Sequence, residues 1–193
     1  AFVIELLASL VVLLAAAPAP DTVRRAPERP SLAAVAVTQP IRVDGVLDEP
    51  VWRSAKAATG FVQSEPNEGQ PASEQTEVWV AYDGRNLYVA AHLHDGHPAE
   101  LIVNDIKKDF KEEDQDDFEV LLDTFGDRQN GYVFITNIAG AKADKQVANE
   151  GREVNASWDA VWSVETKVVA DGWTLEMSIP FRSLRFEPNG ARP

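Results

Sequence analysis

The chain has 193 residues and no cysteine, and its 18 Lys and Arg against 31 Asp and Glu give a formal net charge of −13. Its 45% hydrophobic and 25% charged residues are ordinary for a globular protein, which argues against wholesale disorder and a multi-span membrane protein. The acidic balance argues against a nucleic-acid partner, because such binding needs a basic surface. The lack of cysteine excludes disulfide frameworks, thiolate zinc sites and cysteine nucleophiles.

The N-terminal residues have the pattern of an export signal. An apolar run at 6–17 is too short to span a bilayer, and small residues and prolines follow it as in a secretory cleavage region. We therefore expect a signal peptide at 1–19 whose start is missing; a buried or anchoring helix is the alternative. The protein would then be exported across the inner membrane.

The next segment, 20–38, is rich in proline and mixed charges, which predicts an extended linker. The folded domain is therefore expected at 39–193. Because the chain stops just after a turn-forming segment at 186–190, we expect this domain to be incomplete at its C-terminus.

From Thr76 onward, apolar and polar residues alternate with a period of two, which is typical of strands with one buried face. Strands are expected at 76–82, 86–93, 118–122, 132–136, 162–168 and 173–179. A short helix is expected near Trp52, with Asp48 as its cap and Pro50 in its first turn. Since hairpin turns join most of these strands, the predicted fold class is all-β, an antiparallel two-sheet β-sandwich with one short N-terminal helix.

All three histidines fall within the string H-L-H-D-G-H at 92–97. His92 and His94 would share one face of a strand and could hold a metal ion together. The string is similar to the H-x-H-x-D-H pattern of metallo-β-lactamase-fold hydrolases, but Gly96 precedes the third histidine and no further histidines follow. A zinc site of His92, His94 and His97 in a metal-dependent hydrolase is therefore a minor alternative to ordinary surface histidines.

An acidic block lies at 100–127, which contains eleven Asp and Glu but only three Lys and no Arg, and so has a net charge of −8. A hard cation such as Ca²⁺ would relieve this repulsion through oxygen ligands, and Asp116 and Asp117 are the candidate ligands in the block. The spacing of an EF-hand loop does not occur. A solvated acidic loop is the alternative for most of these residues.

The five tryptophans divide into two groups. Trp52, Trp162 and Trp173 are in phase with the apolar positions of their own segments, so we expect them in the core. Trp79 is on the opposite strand face from its apolar neighbours, and Trp158 lies in a polar loop. Trp79 and Trp158 are therefore the candidates for stacking on sugar rings.

Four motifs occur in order along the chain: V-D-G-V-L-D-E-P-V-W at 43–52, D-G-R-N-L-Y-V-A-A at 83–91, D-D-F-E-V-L-L-D at 116–123 and G-W-T-L-E-M-S-I-P-F at 172–181. Together they resemble the family 9 carbohydrate-binding-module-like domains, whose patterns include V/I-D-G-x-x-D-E-x-x-W and D-x-x-E-x-x-x-D. The resemblance covers about residues 39–186. It implies a β-sandwich that binds an oligo- or polysaccharide, commonly with structural calcium.

The resemblance also implies roles for single residues. Asp95 matches a position that ligates calcium, Glu119 matches a carboxylate that hydrogen-bonds sugar hydroxyls, and Asn137 matches the asparagine of an F-R-x-N strand. The chain departs from the family twice. Residues 112–114 are acidic where sugar-binding members place a tryptophan, and Ile135 replaces the arginine of the F-R-x-N strand.

The segment 123–132 resembles a subgroup found at the N-terminus of secreted bacterial proteins that continue into an outer-membrane-barrel-like region. We therefore expect a non-catalytic module of a longer protein involved in carbohydrate catabolism, periplasmic or outer-membrane associated. Its partners would be a saccharide and a C-terminal barrel or catalytic domain of the same chain. A docking domain that has lost sugar binding is the alternative.

Overall fold

The structure is a computed structural model, and it describes residues 31–113 and 115–186. The strands are β1 Val35–Ala36, β2 Thr76–Tyr82, β3 Asn86–His94, β4 Asp117–Leu122, β5 Gly131–Asn137, β6 Lys142–Ala148, β7 Glu153–Asn155, β8 Ser163–Val169 and β9 Gly172–Pro180. One helix, α1, covers Pro50–Ser54, and two short 3₁₀ turns cover Pro98–Glu100 and Phe181–Ser183. The predicted signal peptide and the first part of the predicted linker lie outside the described residues.

The strands form two sheets. The five-stranded sheet has the order β1-β2-β3-β9-β8, and the four-stranded sheet has the order β4-β5-β6-β7. Neighbouring strands are antiparallel except for β1, which runs parallel to β2. The predicted all-β two-sheet sandwich is confirmed. Within the described residues, no helix is long and apolar enough to cross a lipid bilayer.

The main core lies between the two sheets, because alternate side chains of each strand face the other layer. Val89 and Met177 contribute from the five-stranded sheet, and Tyr132 and Phe134 contribute from the four-stranded sheet. Trp162 and Trp173 are buried in the same cluster, as predicted from their phase.

The outer face of the five-stranded sheet is covered by the N-terminal segment. Trp52 of α1 is buried there against Ala81, Tyr88 and Ala90. The predicted helix is confirmed, but its cap is Glu49 and not Asp48, and Glu49 makes no side-chain capping hydrogen bond. The helix is a single turn that begins at Pro50, whose fixed φ suits a first helical position.

The outer face of the four-stranded sheet is partly covered by the segment 105–113. Phe110 packs there on Val133, Ile135 and Ala143, so β5 is buried on both of its faces. The backbone N–H of Asp109 donates to the carbonyl of Lys142 at 2.8 Å and fixes the segment to β6.

All six predicted strands are present, while β1, β6 and β7 were not predicted. The alternation fails in β6 because Asp144 occupies an interior position, where its carboxylate accepts the indole N–H of Trp162 at 3.0 Å. Val35 and Ala36 of β1 lie inside the range that the sequence pattern assigned to the linker.

Candidate functional site

Two of the four sequence motifs meet at a buried carboxylate. Oε2 of Glu176 on β9 accepts the backbone N–H groups of Asp44 and Gly45 at 2.9 and 3.1 Å, and Oε1 accepts the indole N–H of Trp52 at 2.8 Å. Burial raises the pKa of Glu176 to about 7; the hydrogen bonds from Asp44 and Trp52 oppose this shift, and the carboxylate of Glu49 adds to it. The sequence pattern alone predicted no role for Glu176, although it is the glutamate of the last motif.

Glu119 and Asn137 lie on the same outer face of the four-stranded sheet. Glu119 pairs with Ile135 across β4 and β5, and Asn137 pairs with Asp117 two positions along. The side chain of Glu119 is exposed on the edge strand, so its carboxylate is free to meet a ligand. The structure therefore places these two predicted saccharide-binding residues on the same side of the sheet, Glu119 exposed and Asn137 buried.

Asn137 is fully buried, and its side chain holds the surrounding loops. Its amide nitrogen donates to the carbonyl of Asp105 at 2.6 Å and to Oε1 of Gln115 at 3.0 Å. Its amide oxygen accepts the backbone N–H groups of Ala139 and Ala141, each at 3.1 Å. In this arrangement Asn137 positions the loops beside the face, and its polar atoms are already engaged.

A cleft of about 260 Å³ lies on the same outer face, between the segment 109–113 and β6, and Glu119 is not among its lining residues. It is lined by Asp109, Phe110, Lys111, Glu112, Glu113, Ala143, Asp144, Lys145 and Ala156. Two of the lining residues form an ion pair: Lys145 Nζ lies 2.6 Å from Glu112 Oε2, and both side chains are half-buried. The cleft therefore combines apolar lining with groups that can donate and accept hydrogen bonds.

The pKa of Asp117 shows the effect of burial and of neighbouring carboxylates on this face. Burial, together with the carboxylates of Glu119, Glu112 and Asp116, raises its pKa to about 6, and Lys145 opposes the shift. Several carboxylates are thus close enough to act on one another. The acidic block contributes directly to the surface that carries Glu119.

Residues 43–192 match the family described as carbohydrate family 9 binding domain-like. The chain belongs to this family. No curated protein matches the chain in sequence.

Solved structures of family 9 carbohydrate-binding modules share the fold. A module from Caldicellulosiruptor kristjanssonii in complex with cellotriose has a TM-score of 0.53 and 20% identity, over 76% of this chain and 66% of that chain. A family 9 module from the same organism with glucose has a TM-score of 0.54 and 19% identity, over 82% and 72%. A protein from Bacteroides uniformis, described as carbohydrate-binding, has a TM-score of 0.59 and 15% identity, over 79% and 73%.

The two tryptophans predicted to stack on sugars lie elsewhere in this family 9 domain. Trp79 pairs with Ala90 on the outer face of the five-stranded sheet and packs, partly buried, against the cluster around Trp52. Trp158 packs on the core between the sheets, with its ring centroid 4.7 Å from that of Tyr132. The structure does not bring Trp79 and Trp158 together with Glu119.

Of the three predicted metal ligands, Asp95 lies apart from Asp116 and Asp117. Asp95 follows β3, and its Oδ1 accepts the backbone N–H of His97 at 2.5 Å. Asp116 precedes β4, and its Oδ2 accepts the backbone N–H of Ile102 at 2.7 Å. In residues 31–113 and 115–186, Asp95, Asp116 and Asp117 do not bring three ligand atoms within 4.8 Å of one another, so they do not fit a shared calcium ion.

Two of the three histidines in the string at 92–97 lie close together. His92 and His94 lie together with Glu77, and each of the three offers a ligand atom within 4.8 Å of the others. His97 is exposed and lies outside this group. Glu77 was not predicted from the sequence, because its proximity to the histidines depends on the register of β2 against β3, which pairs Glu77 with His92.

Proposed function

We propose that this domain binds an oligo- or polysaccharide on the outer face of the four-stranded sheet. It would act as a non-catalytic module of a longer, secreted protein involved in carbohydrate catabolism. Family membership supports this proposal, since two structures of similar fold are complexes with cellotriose and glucose. The periplasm or the outer-membrane surface is the location we propose.

The observation that carries the proposal is the exposed carboxylate of Glu119, on the same sheet face as the cleft between residues 109–113 and β6. A sugar ring has hydroxyl groups at its edge and apolar C–H groups on its faces. Glu119 can accept hydrogen bonds from hydroxyls, and charge-assisted bonds of this kind are stronger than neutral ones. Lys145 and Glu112 provide a charged donor and a second acceptor next to the apolar lining.

We expect binding to be weak. None of the tryptophans in the described residues lines this cleft. Ile135, which replaces an arginine of the family pattern, is buried under Phe110 and offers no hydrogen bond. Recognition therefore depends on polar groups without aromatic stacking, and we expect a Kd of about 1 mM, equivalent to a binding free energy of about −4 kcal/mol.

A glycan array probed with the fluorescently labelled full chain tests the proposal. Selective retention on glucose-containing oligosaccharides is expected, and retention on none of the glycans would contradict it. The array is read at equilibrium and without a wash step, because a weakly bound protein would dissociate during washing.

A docking function is the second candidate, and one surface favours it. Leu121 and Val154 are 62% and 57% exposed on the same outer face, at the end away from the cleft, and Val147 lies between their strands. Such a patch would suit a barrel or catalytic domain of the same longer chain. Saccharide binding that is unchanged by Leu121→Ser and lost in Glu119→Gln would count against this second function.

Calcium remains a prediction, and we propose Asp116 and Asp117 as its ligands on the four-stranded sheet, without Asp95. Both offer hard oxygen atoms. Burial, and after it the neighbouring carboxylates, raises the pKa of Asp117 to about 6, and a bound cation would offset the repulsion among these carboxylates. Adding Ca²⁺ should raise the thermal unfolding midpoint of the wild type and leave that of Asp117→Asn unchanged, because an ion bound only by the native state stabilises it. An unchanged midpoint of the wild type after chelation would refute the proposal.

A further inference from the structure

A second group of chemically reactive side chains lies on the other sheet. His92 and His94 are two positions apart on β3, so their side chains project from the same outer face of the five-stranded sheet. Glu77 of β2 pairs with His92. Asp171, in the turn between β8 and β9, precedes Gly172, which pairs with His94. Three separate parts of the chain thus place these four side chains at one end of the sheet.

Glu77, His92 and His94 each offer a ligand atom, and these three atoms lie within 4.8 Å of one another. Of these pairs, Nε2 of His94 and Oε2 of Glu77 are 3.2 Å apart. Ligand atoms held at 2.0–2.2 Å from a tetrahedral zinc ion are separated by about 3.3–3.6 Å. The side chains of Glu77, His92 and His94 are only 18–29% exposed, so they are already ordered by their neighbours.

One nitrogen in the group has no hydrogen-bond partner. Nε2 of His92 is buried and makes no hydrogen bond, because Oδ1 of Asp171 at 3.3 Å does not have the required orientation. A buried polar atom without a partner is unfavourable, and native proteins usually satisfy such atoms. The lone pair of this nitrogen can be satisfied by a metal ion.

A metal ion explains the close contact of His92 and His94 better than ion pairs with Glu77 and Asp171 do. The imidazole rings of His92 and His94 lie with their centroids 3.9 Å apart and their planes tilted by 30°. Two imidazolium cations in such contact would repel each other. Two neutral imidazoles in the same positions can ligate a single ion, and Asp171 Oδ2, 3.5 Å from Nδ1 of His94, lies where it can orient that ring.

We propose that Glu77, His92 and His94 bind one zinc-class transition-metal ion, with Asp171 as the carboxylate that orients His94 through its Nδ1. Two nitrogen donors and a carboxylate suit zinc better than calcium or magnesium, which prefer oxygen ligands. Bound metal would connect β2, β3 and the turn before β9. This site is on the five-stranded sheet and is independent of the proposed saccharide-binding face.

Calorimetric titration of the tag-free full chain with ZnCl₂, and in parallel with CaCl₂, tests the proposal. One Zn²⁺ per chain is expected, with no competition from Ca²⁺. Co²⁺ should give the intense visible absorption bands of a tetrahedral site. No zinc binding, or a Co²⁺ spectrum of hexahydrated type, would overturn the proposal.

Variants identify the ligands. His94→Gln should weaken zinc binding at least about tenfold, and Glu77→Gln provides a second ligand variant if His94→Gln does not fold. His97→Gln is the matched control, since His97 lies in the same string but outside the group, and it should bind zinc like the wild type. Equal affinity of wild type and folded His94→Gln, or an equal loss in His97→Gln, would contradict the assignment. Saccharide binding should be unchanged in all three variants.

Discussion

Trp52 donates its indole N–H to Glu176 at 2.8 Å and so joins two segments that are 124 positions apart in the chain. The other oxygen of Glu176 accepts the backbone N–H groups of Asp44 and Gly45. This one carboxylate therefore fixes the N-terminal segment on the outer face of the five-stranded sheet. The D-G, W and E residues of two family motifs thus stabilise the fold and do not form the proposed saccharide-binding face.

Trp52→Phe should lower the free energy of unfolding by about 1–3 kcal/mol more than the matched control Trp79→Phe. The first substitution leaves a buried carboxylate oxygen of Glu176 without its side-chain donor, at a cost of that order. Trp79 is partly buried in the same layer, so the control accounts for the loss of ring area. Urea unfolding followed by circular dichroism measures the difference, and equal stability of the two variants would contradict the role of this hydrogen bond.

The stability of the protein should depend on the protonation of Glu176. Because the folded-state pKa, about 7, is above the ordinary value of 4.5, the native state binds this proton more tightly than the unfolded state does. This contribution is fully present below pH 4.5 and is lost as the pH rises through about 7.

Protonation of Asp117 should likewise stabilise the fold, so the free energy of unfolding should also decrease as the pH rises from 3.8 to about 6.

Glu176→Gln should remove the Glu176 contribution, so the difference in unfolding free energy between wild type and variant should change with pH across the interval from 4.5 to about 7. Urea unfolding at several pH values measures it. A constant difference across that interval would show that the pKa of Glu176 is not raised.

Gly45→Ala should destabilise the domain more than Gly60→Ala. Both glycines have positive φ, 74° and 73°, so both substitutions carry a similar backbone strain. A Cβ at Gly45 would lie 3.0 Å from the backbone carbon of Thr166 on β8, whereas a Cβ at Gly60 would meet nothing within 4 Å. We expect about 1–2 kcal/mol of strain in both variants and a further loss only in Gly45→Ala. Equal unfolding midpoints for the two variants would show that the N-terminal segment does not pack closely on β8.

Most strands could be predicted because the core between the sheets requires apolar residues at every second position. Val78 and Val80 face that core, and Trp79 faces away from it, as the alternation predicted. The alternation could not show that the N-terminal segment folds back over Trp79. Strand β6 was missed because the buried carboxylate of Asp144 interrupts the pattern.

The candidate site was predicted only in part. The exposure of Glu119 is consistent with its strand phase. Trp158 lies in a loop, where no periodicity indicates burial, and only the three-dimensional packing on Tyr132 and Phe134 reveals it. The contact of Glu77 with the histidines depends on strand register, which a sequence pattern alone does not define.

Calorimetric titration of the full chain with cellotriose, next to Glu119→Gln and Glu165→Gln, tests saccharide binding most directly. Glu165 is an exposed strand glutamate on the other sheet and therefore a matched control. We predict that the wild type and Glu165→Gln bind cellotriose equally. Glu119→Gln should bind at least about tenfold more weakly, because a hydrogen bond to a charged group contributes about 1.5–3 kcal/mol. No measurable binding by the wild type, or equal binding by Glu119→Gln, would contradict the proposed saccharide-binding face.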